Sequence, residues 1–215
     1  MSQRKFIIDA DTGSDDAVAI LMALREPTID VLGITLVSGN VPRDQGIINT
    51  LSTIELCEET TKVYAGADKP LTRDYSEVQT LEEFSAHVQT RSPVSLSAQC
   101  VHGEDGMGDI GIQPKHTEYE EEEAIEFLIN SFNQQPGEIT LVTLGPLTNI
   151  ALAIQKDPSI IEKIEHCYVM GGTSDGTGNV SPTAEFNIWV DPEAAAIVFD
   201  SGLPITMVGW DNSYK

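Results

Sequence analysis

Apolar positions along the chain fall into short blocks of two kinds. Phe6 to Ile8 is a run too brief for a helix and ends in acids, whereas Asp15 to Leu24 is longer and apolar-rich, and Ser14 or a neighbouring Asp could cap it. The pattern predicts strand, turn, helix. Val31 to Val37 then reads as a buried strand, Asp44 to Leu56 as a helix with Ile47, Leu51 and Ile54 on one face, and Val63 to Ala65 as a short strand. Between Asp68 and Thr117, Pro, Ser, Thr, Gln and charged residues interrupt every apolar run, which predicts a long excursion from the core. A connection this long without clear elements is more often functional or partly mobile than ordinary, so the stretch could flank a pocket. The rhythm returns with a helix over Glu120 to Phe132, whose Ala124, Phe127, Leu128 and Ser131 share a face, and a strand over Ile139 to Leu144. The helical period recurs at Leu147, Ile150, Ala151 and Ile154. A strand at Cys167 to Met170, a helix at Pro192 to Phe199 begun by Asp191 and Pro192, and a strand at Ile205 to Val208 complete the series.

Strands alternating with helices call for an α/β fold with a doubly wound, mainly parallel sheet, Rossmann-like in plan. In such sheets ligands bind beyond the carboxyl ends of the strands. The unusual polar clusters fall there: Asp9 to Asp16, Ser38 to Asn40, Gly145 to Asn149 and Gly171 to Asn187. A length of 215 residues suits one domain over 1–215, with the excursion at about 68–117.

Composition narrows the classes. With 40% hydrophobic and 21% charged residues and no apolar run of membrane-spanning length, the chain reads as a soluble globular protein. The first residues lack the apolar stretch and cleavage site of a signal peptide, so a cytoplasmic location is expected. Cys57, Cys100 and Cys167 are odd in number and far apart, which predicts buried free thiols rather than a disulfide framework. A net charge of -22 with no basic stripe argues against a nucleic-acid partner. Overall acidity is compatible with cation binding, but only local clustering can point to a site.

That clustering is sharpest at Asp9, Asp11, Asp15 and Asp16, four carboxylates within eight positions. Like charges so close raise one another's pKa unless a cation or several donors compensate. A helix dipole favours an acid in the first turn by only about 0.3–1 kcal/mol, which is small beside that repulsion. Oxygen-only ligands select hard ions such as Ca²⁺ or Mg²⁺. From these residues alone, a cation site and a set of helix-capping, solvated acids stand equally open. Glu120 to Glu123 reads as a solvated helix start, and Gly171-Gly172 as turn geometry, because neither phosphate-cradling pattern accompanies it.

The stretch DADTGSDDAVAILMAL resembles the amino-terminal signature of the inosine-uridine-preferring nucleoside hydrolases. VSGN at 37–40, VHGEDGMGD at 101–109, LGPLTNIA at 144–151, VMGG at 169–172 and AEFNIWVDPEAA at 184–195 resemble further motifs of that family in the same order. The resemblance implies calcium-dependent hydrolysis of the N-glycosidic bond of ribonucleosides, through a metal-activated water and an oxocarbenium-like transition state. It implies side-chain calcium ligands at Asp11 and Asp16, a main-chain carbonyl ligand at Leu144, and Asp11 as general base. Asp15, Asn40, Asn179, Glu185 and Asn187 match positions that hold ribose hydroxyls, Phe186 would wall the sugar, and His102 matches a histidine on the base side. Asp9 is left to support its neighbours through hydrogen bonds.

The same resemblance implies a nucleoside substrate, a role in purine or pyrimidine salvage, and a homo-oligomer. The family continues past the point matching Lys215, into a portion with a His-Asp pair whose Asp completes the calcium shell. Asp211 does not match that Asp. Two other readings follow. One is a non-catalytic or weakly active nucleoside- or ribose-binding relative. The other takes Asp9 to Thr12 as the DxDxT of a haloacid-dehalogenase-like phosphatase, although no late acidic pair of the expected kind follows.

Overall fold

The computed structural model describes residues 3–72 and 99–212, with Gln99 and Cys100 described in backbone only. Strand β1 (Arg4–Ala10) leads into helix α1 (Ser14–Arg25), β2 (Ile29–Leu36) into α2 (Arg43–Leu56), and β3 (Val63–Ala65) follows. After the short helix α3 (Gln99–His102) come α4 (Ala124–Gln134), β4 (Ile139–Thr143), α5 (Thr148–Lys156) and a 3-10 turn at Pro158–Lys163. Strand β5 (Ile164–Met170), helices α6 (Phe186–Val190) and α7 (Pro192–Asp200), strand β6 (Ile205–Val208) and a 3-10 turn at Trp210–Asn212 complete the order.

The six strands form one sheet in the order β3-β2-β1-β4-β5-β6, and every neighbouring pair is parallel. This is the expected α/β doubly wound sheet, wholly parallel among the described strands. Successive strand residues point to opposite faces, so β1 splits its side chains between two cores. Ile8 and Ala10 join Ile34, Leu36, Ile20, Ile47 and Ile54 under α1 and α2. Ile7 joins Leu141, Cys167, Val169, Leu128, Phe132, Ile150 and Val198 under α4, α5 and α7. The direction of winding reverses between β1 and β4, and the crevice beyond their carboxyl ends is where such sheets bind ligands.

Several boundaries differ from the sequence pattern. The helix expected from Glu120 begins at Ala124, because Glu120 is drawn to the sheet edge, where its N–H donates to the Val63 carbonyl (2.9 Å) and it bridges to Tyr64. Ala124, Phe127, Leu128 and Ser131 are all buried, as their spacing predicted. Of the expected caps of helix α1, Ser14 is not one: Gly13 stands at the N-cap, and the neighbouring Asp16 accepts its N–H (2.8 Å). Asp191 does cap α7, accepting from the Ala194 N–H (3.0 Å). Cys57 and Cys167 are buried free thiols, while the side chain of Cys100 and residues 73–98 of the expected excursion lie outside the described residues. Among the described residues no helix is long and apolar enough to cross a membrane.

Candidate active site

The acids at the end of β1 do not share one environment. Asp9 still belongs to the strand, and its side chain turns under the α5 face, where Thr35 (2.5 Å) and the Asn149 amide (2.7 Å) donate to Oδ1. Asp11 lies just past the strand, fully buried, with Oδ2 accepting from the Asn40 N–H (2.6 Å) and Oδ1 buried with no donor among the described residues. Asp16, in the first turn of α1, accepts from Gly13 N–H and from the Asn40 side-chain amide (3.3 Å). Asp15 faces outward, accepts from the Asp16 N–H (3.0 Å), and lies 3.7 Å from His102 Nε2. Ser14 holds the other ring nitrogen of His102 at 2.8 Å, so α1 and α3 meet through this histidine.

The second wall comes from the ends of β4 and β5. Leu144 is fastened at both peptide groups: its N–H donates to the Asp9 carbonyl (2.7 Å), and its carbonyl accepts from the Asn187 amide (2.7 Å). Asn187 reaches the Met170 carbonyl as well (3.1 Å), which ties the ends of both strands to α6. The segment Glu185 to Asn187 starts α6, because the Glu185 carboxylate caps it by accepting from the Asn187 and Ile188 N–H groups. Glu185 also accepts from the Gly172 N–H (2.9 Å). Asn179 is exposed and accepts from the Phe186 N–H (2.9 Å), fixing the buried Phe186 at the start of the helix. All ten residues singled out in the sequence therefore sit on loops or first turns at the carboxyl edge of the sheet.

Burial dominates the electrostatics. It pushes Asp9 up to about 7 against the pull of the Asn149 and Thr35 hydrogen bonds. Burial, then the charge of Asp15, raises Asp16 to about 7, and burial followed by the charges of Asp16 and Asp15 carries Asp11 well above the carboxylate range. Glu185 is raised by burial too. Among the described residues no Lys or Arg pairs with Asp9, Asp11 or Asp16. A buried carboxylate oxygen with no donor, beside a second buried acid, suits a hard cation. Asp11 Oδ1, Asp16 and the Leu144 carbonyl are oxygen donors of the right kind. Among the described residues, however, no three His, Cys, Asp or Glu side chains gather as a metal cage.

Two residues that carry this site were not singled out in the sequence. Asn149 links Asp9 to the Leu36 carbonyl (3.1 Å) and the Ala67 N–H (2.8 Å), and Thr35 supplies the other donor to Asp9. The available signal was an Asn in the first turn of a helix directly after a strand. Its partners, up to 140 positions away, were not legible.

A doubly wound parallel sheet whose winding reversal carries buried, unpaired carboxylates defines an α/β protein with an acid-lined ligand site at its carboxyl edge. The model of the family "Inosine-uridine preferring nucleoside hydrolase" matches residues 6–215, and the chain belongs to that family. The phosphatase reading is thereby overturned. The chain is 41% identical over 211 residues to the pyrimidine-specific ribonucleoside hydrolase RihB of Escherichia coli (strain SE11), covering 98% of this chain and 61% of the relative. Among solved structures it is similar to the plant nucleoside hydrolase PpNRh1 enzyme (TM-score 0.85, 37% identity, 97% of this chain and 60% of that one). A purine-preferring ribonucleoside hydrolase from Gardnerella vaginalis is alike as well (TM-score 0.84, 37% identity, 97% and 61%). The chain thus spans about three-fifths of the length of these relatives.

Proposed function

We propose that this chain hydrolyses the N-glycosidic bond of ribonucleosides, releasing free base and ribose. The observation that supports the reading is Asp11 Oδ1, an acceptor buried with no donor among the described residues, beside Asp16 at the winding reversal. Asp11, Asp16 and the Leu144 carbonyl would hold Ca²⁺, which when bound lowers the pKa of water and offsets the charge of the buried acids. Asp11 takes a proton from the attacking water as its oxygen bonds to the anomeric carbon of ribose. The C–N bond breaks with its electron pair leaving on the base, which gains a proton. Asp15, Asn40, Asn179, Glu185 and Asn187 hold the ribose hydroxyls, and their carboxylates favour the positive charge that develops on the sugar ring. Phe186 walls the sugar, and His102, held by Ser14, stands on the base side.

Relatives of this chain carry both pyrimidine-specific and purine-preferring names, so inosine and uridine both belong in the test. Either nucleoside incubated with calcium is expected to yield base and ribose, and Asp11→Ala to yield neither. No product from the wild-type chain, with Asp11→Ala indistinguishable from it, would sink the catalytic claim. A nucleoside or ribose binder without turnover is the second reading, because the side chains proposed for the ribose hydroxyls, such as Asn187 and Glu185, are held in place by hydrogen bonds of the chain itself. Calorimetry showing calcium-dependent ribose binding without product would select it. A single-domain organisation, nucleoside salvage, a cytoplasmic setting and homo-oligomeric assembly accompany the reading as proposals.

A further inference from the structure

We infer that Asn149 is a positioning residue of this site: its buried amide joins the Asp9 carboxylate to the neighbouring strand ends and so fixes where the turn from Leu144 to Leu147 stands against Asp11. The inference rests on reading the site as a calcium-dependent nucleoside hydrolase centre.

Asn149 lies in the first turn of α5 with no exposed surface. Its Nδ2 donates to Asp9 Oδ1 (2.7 Å) and to the Leu36 carbonyl (3.1 Å), and its Oδ1 accepts from the Ala67 N–H (2.8 Å). One amide thus binds the ends of β1 and β2 and the segment after β3. The fit leaves no slack, since a Cβ on Gly66 would fall 2.3 Å from Asn149 Oδ1. The preceding residue secures the opposite side, because Thr148 donates its hydroxyl to Asp191 (2.7 Å), which also accepts from the Leu71 N–H (2.9 Å).

The turn entering α5 is therefore pinned at both ends, by Leu144 N–H on the Asp9 carbonyl and by Asn149 on the Asp9 carboxylate. Within that turn the backbone passes so close to Asp11 that a Cβ on Gly145 would lie 2.9 Å from Asp11 Oδ1, the oxygen with no donor among the described residues. Any shift of α5 moves both this contact and the Leu144 carbonyl. A link needed only for stability could be apolar, yet Asp9 is a fully buried acid whose second oxygen has no donor among the described residues. Asn149 does not itself touch Asp11, Asp15, Asp16 or Glu185 through any hydrogen bond among the described residues. It acts through Asp9 and the turn.

The test uses the whole chain with two variants. Asn149→Asp keeps the size and the acceptor for Ala67 but sets a carboxylate against Asp9. The exchange Asp9→Asn/Asn149→Asp restores a donor and an acceptor between the two positions with their roles reversed, while the bond to the Leu36 carbonyl stays lost. Calcium affinity and free-ribose affinity are read by calorimetry, kcat and KM with uridine and inosine, and melting by circular dichroism. Asn149→Asp is expected to weaken calcium binding and lower kcat about 10- to 100-fold, the range for partners that orient metal ligands, with KM little changed. The exchange is expected to recover part of the calcium affinity lost in Asn149→Asp. Wild-type calcium affinity and kcat in Asn149→Asp, or a melting shift alone, overturns the inference. If the wild-type chain binds calcium but turns over neither nucleoside, the hydrolase reading fails while the calcium measurement still decides the role of Asn149. If it binds neither calcium nor ribose, both fall.

Discussion

Gly39 offers a direct probe of how tightly the site is built. A Cβ at that position would lie 2.1 Å from Asp11 Oδ2, 2.8 Å from Asp11 Cγ and 2.8 Å from Pro146 Cδ. Gly39→Ala must therefore rotate the Asp11 carboxylate or displace the Pro146 turn. Rotating Asp11 breaks its bond from the Asn40 N–H, and a hydrogen bond of this kind contributes about 0.5–1.5 kcal/mol. Forcing a methyl into a filled site costs about 1–3 kcal/mol. Because one movement relieves part of the other, the expected loss is roughly 2–4 kcal/mol, or about 5–15 °C in melting temperature for a chain of this size. A reactive group displaced by about 1 Å loses on the order of 100-fold in rate. The control is Gly46→Ala in α2, where the nearest atom to a new Cβ is Leu36 Cδ1 at 3.5 Å and the helix gains up to about 1 kcal/mol. Both variants are melted by circular dichroism, titrated with calcium and assayed for free ribose. If Gly39→Ala melts and binds calcium as the wild type does, the packing argument at Asp11 is wrong.

The raised pKa of Asp9 means that between about 3.8 and 7 the folded chain holds a proton that the unfolded chain has released, so stability falls as pH rises through that window. Asp9→Asn removes this contribution. Urea unfolding at pH 4.5 and 7 should show the wild type losing more stability than the variant, by about 1.4 kcal/mol per pH unit at most, and parallel curves would refute it. Asp191→Ala loses the cap on Ala194 and the bonds from Thr148 and Leu71, which should cost about 3 kcal/mol, and a loss below about 1 would count against it. Calcium at about 100 times its Kd should stabilise the chain by about 2.7 kcal/mol. Because metal and protons compete at Asp11 and Asp16, chelation should lower the melting temperature more at pH 7.5 than at pH 5.5, and equal shifts would contradict that competition.

Much of the fold could be read without coordinates. Every strand, and every long helix of the described residues, lies within a few residues of where period and punctuation put it, because alternating two- and 3.6-residue patterns reflect burial on one face or two. The misplaced boundary at Glu120 came from a contact with Tyr64 across the chain, which no local pattern reports. Likewise the helix starting at Phe186 depends on Glu185 accepting from N–H groups that only the folded turn presents.

By itself, the sequence determined the parallel α/β plan and the family, and it marked the carboxyl edge of the sheet by the clusters at Asp9 to Asp16, Ser38 to Asn40, Gly145 to Asn149 and Gly171 to Asn187. These are properties of spacing and local chemistry, which survive in one dimension. Only the tertiary structure decided how the acids divide. Asp9 turns beneath α5, where Thr35 and Asn149 donate to it, Asp15 faces outward, and Asp11 keeps one buried oxygen with no donor among the described residues. Solvent exclusion and pairing between residues far apart in the chain set those differences, and neither quantity exists until the strands have met.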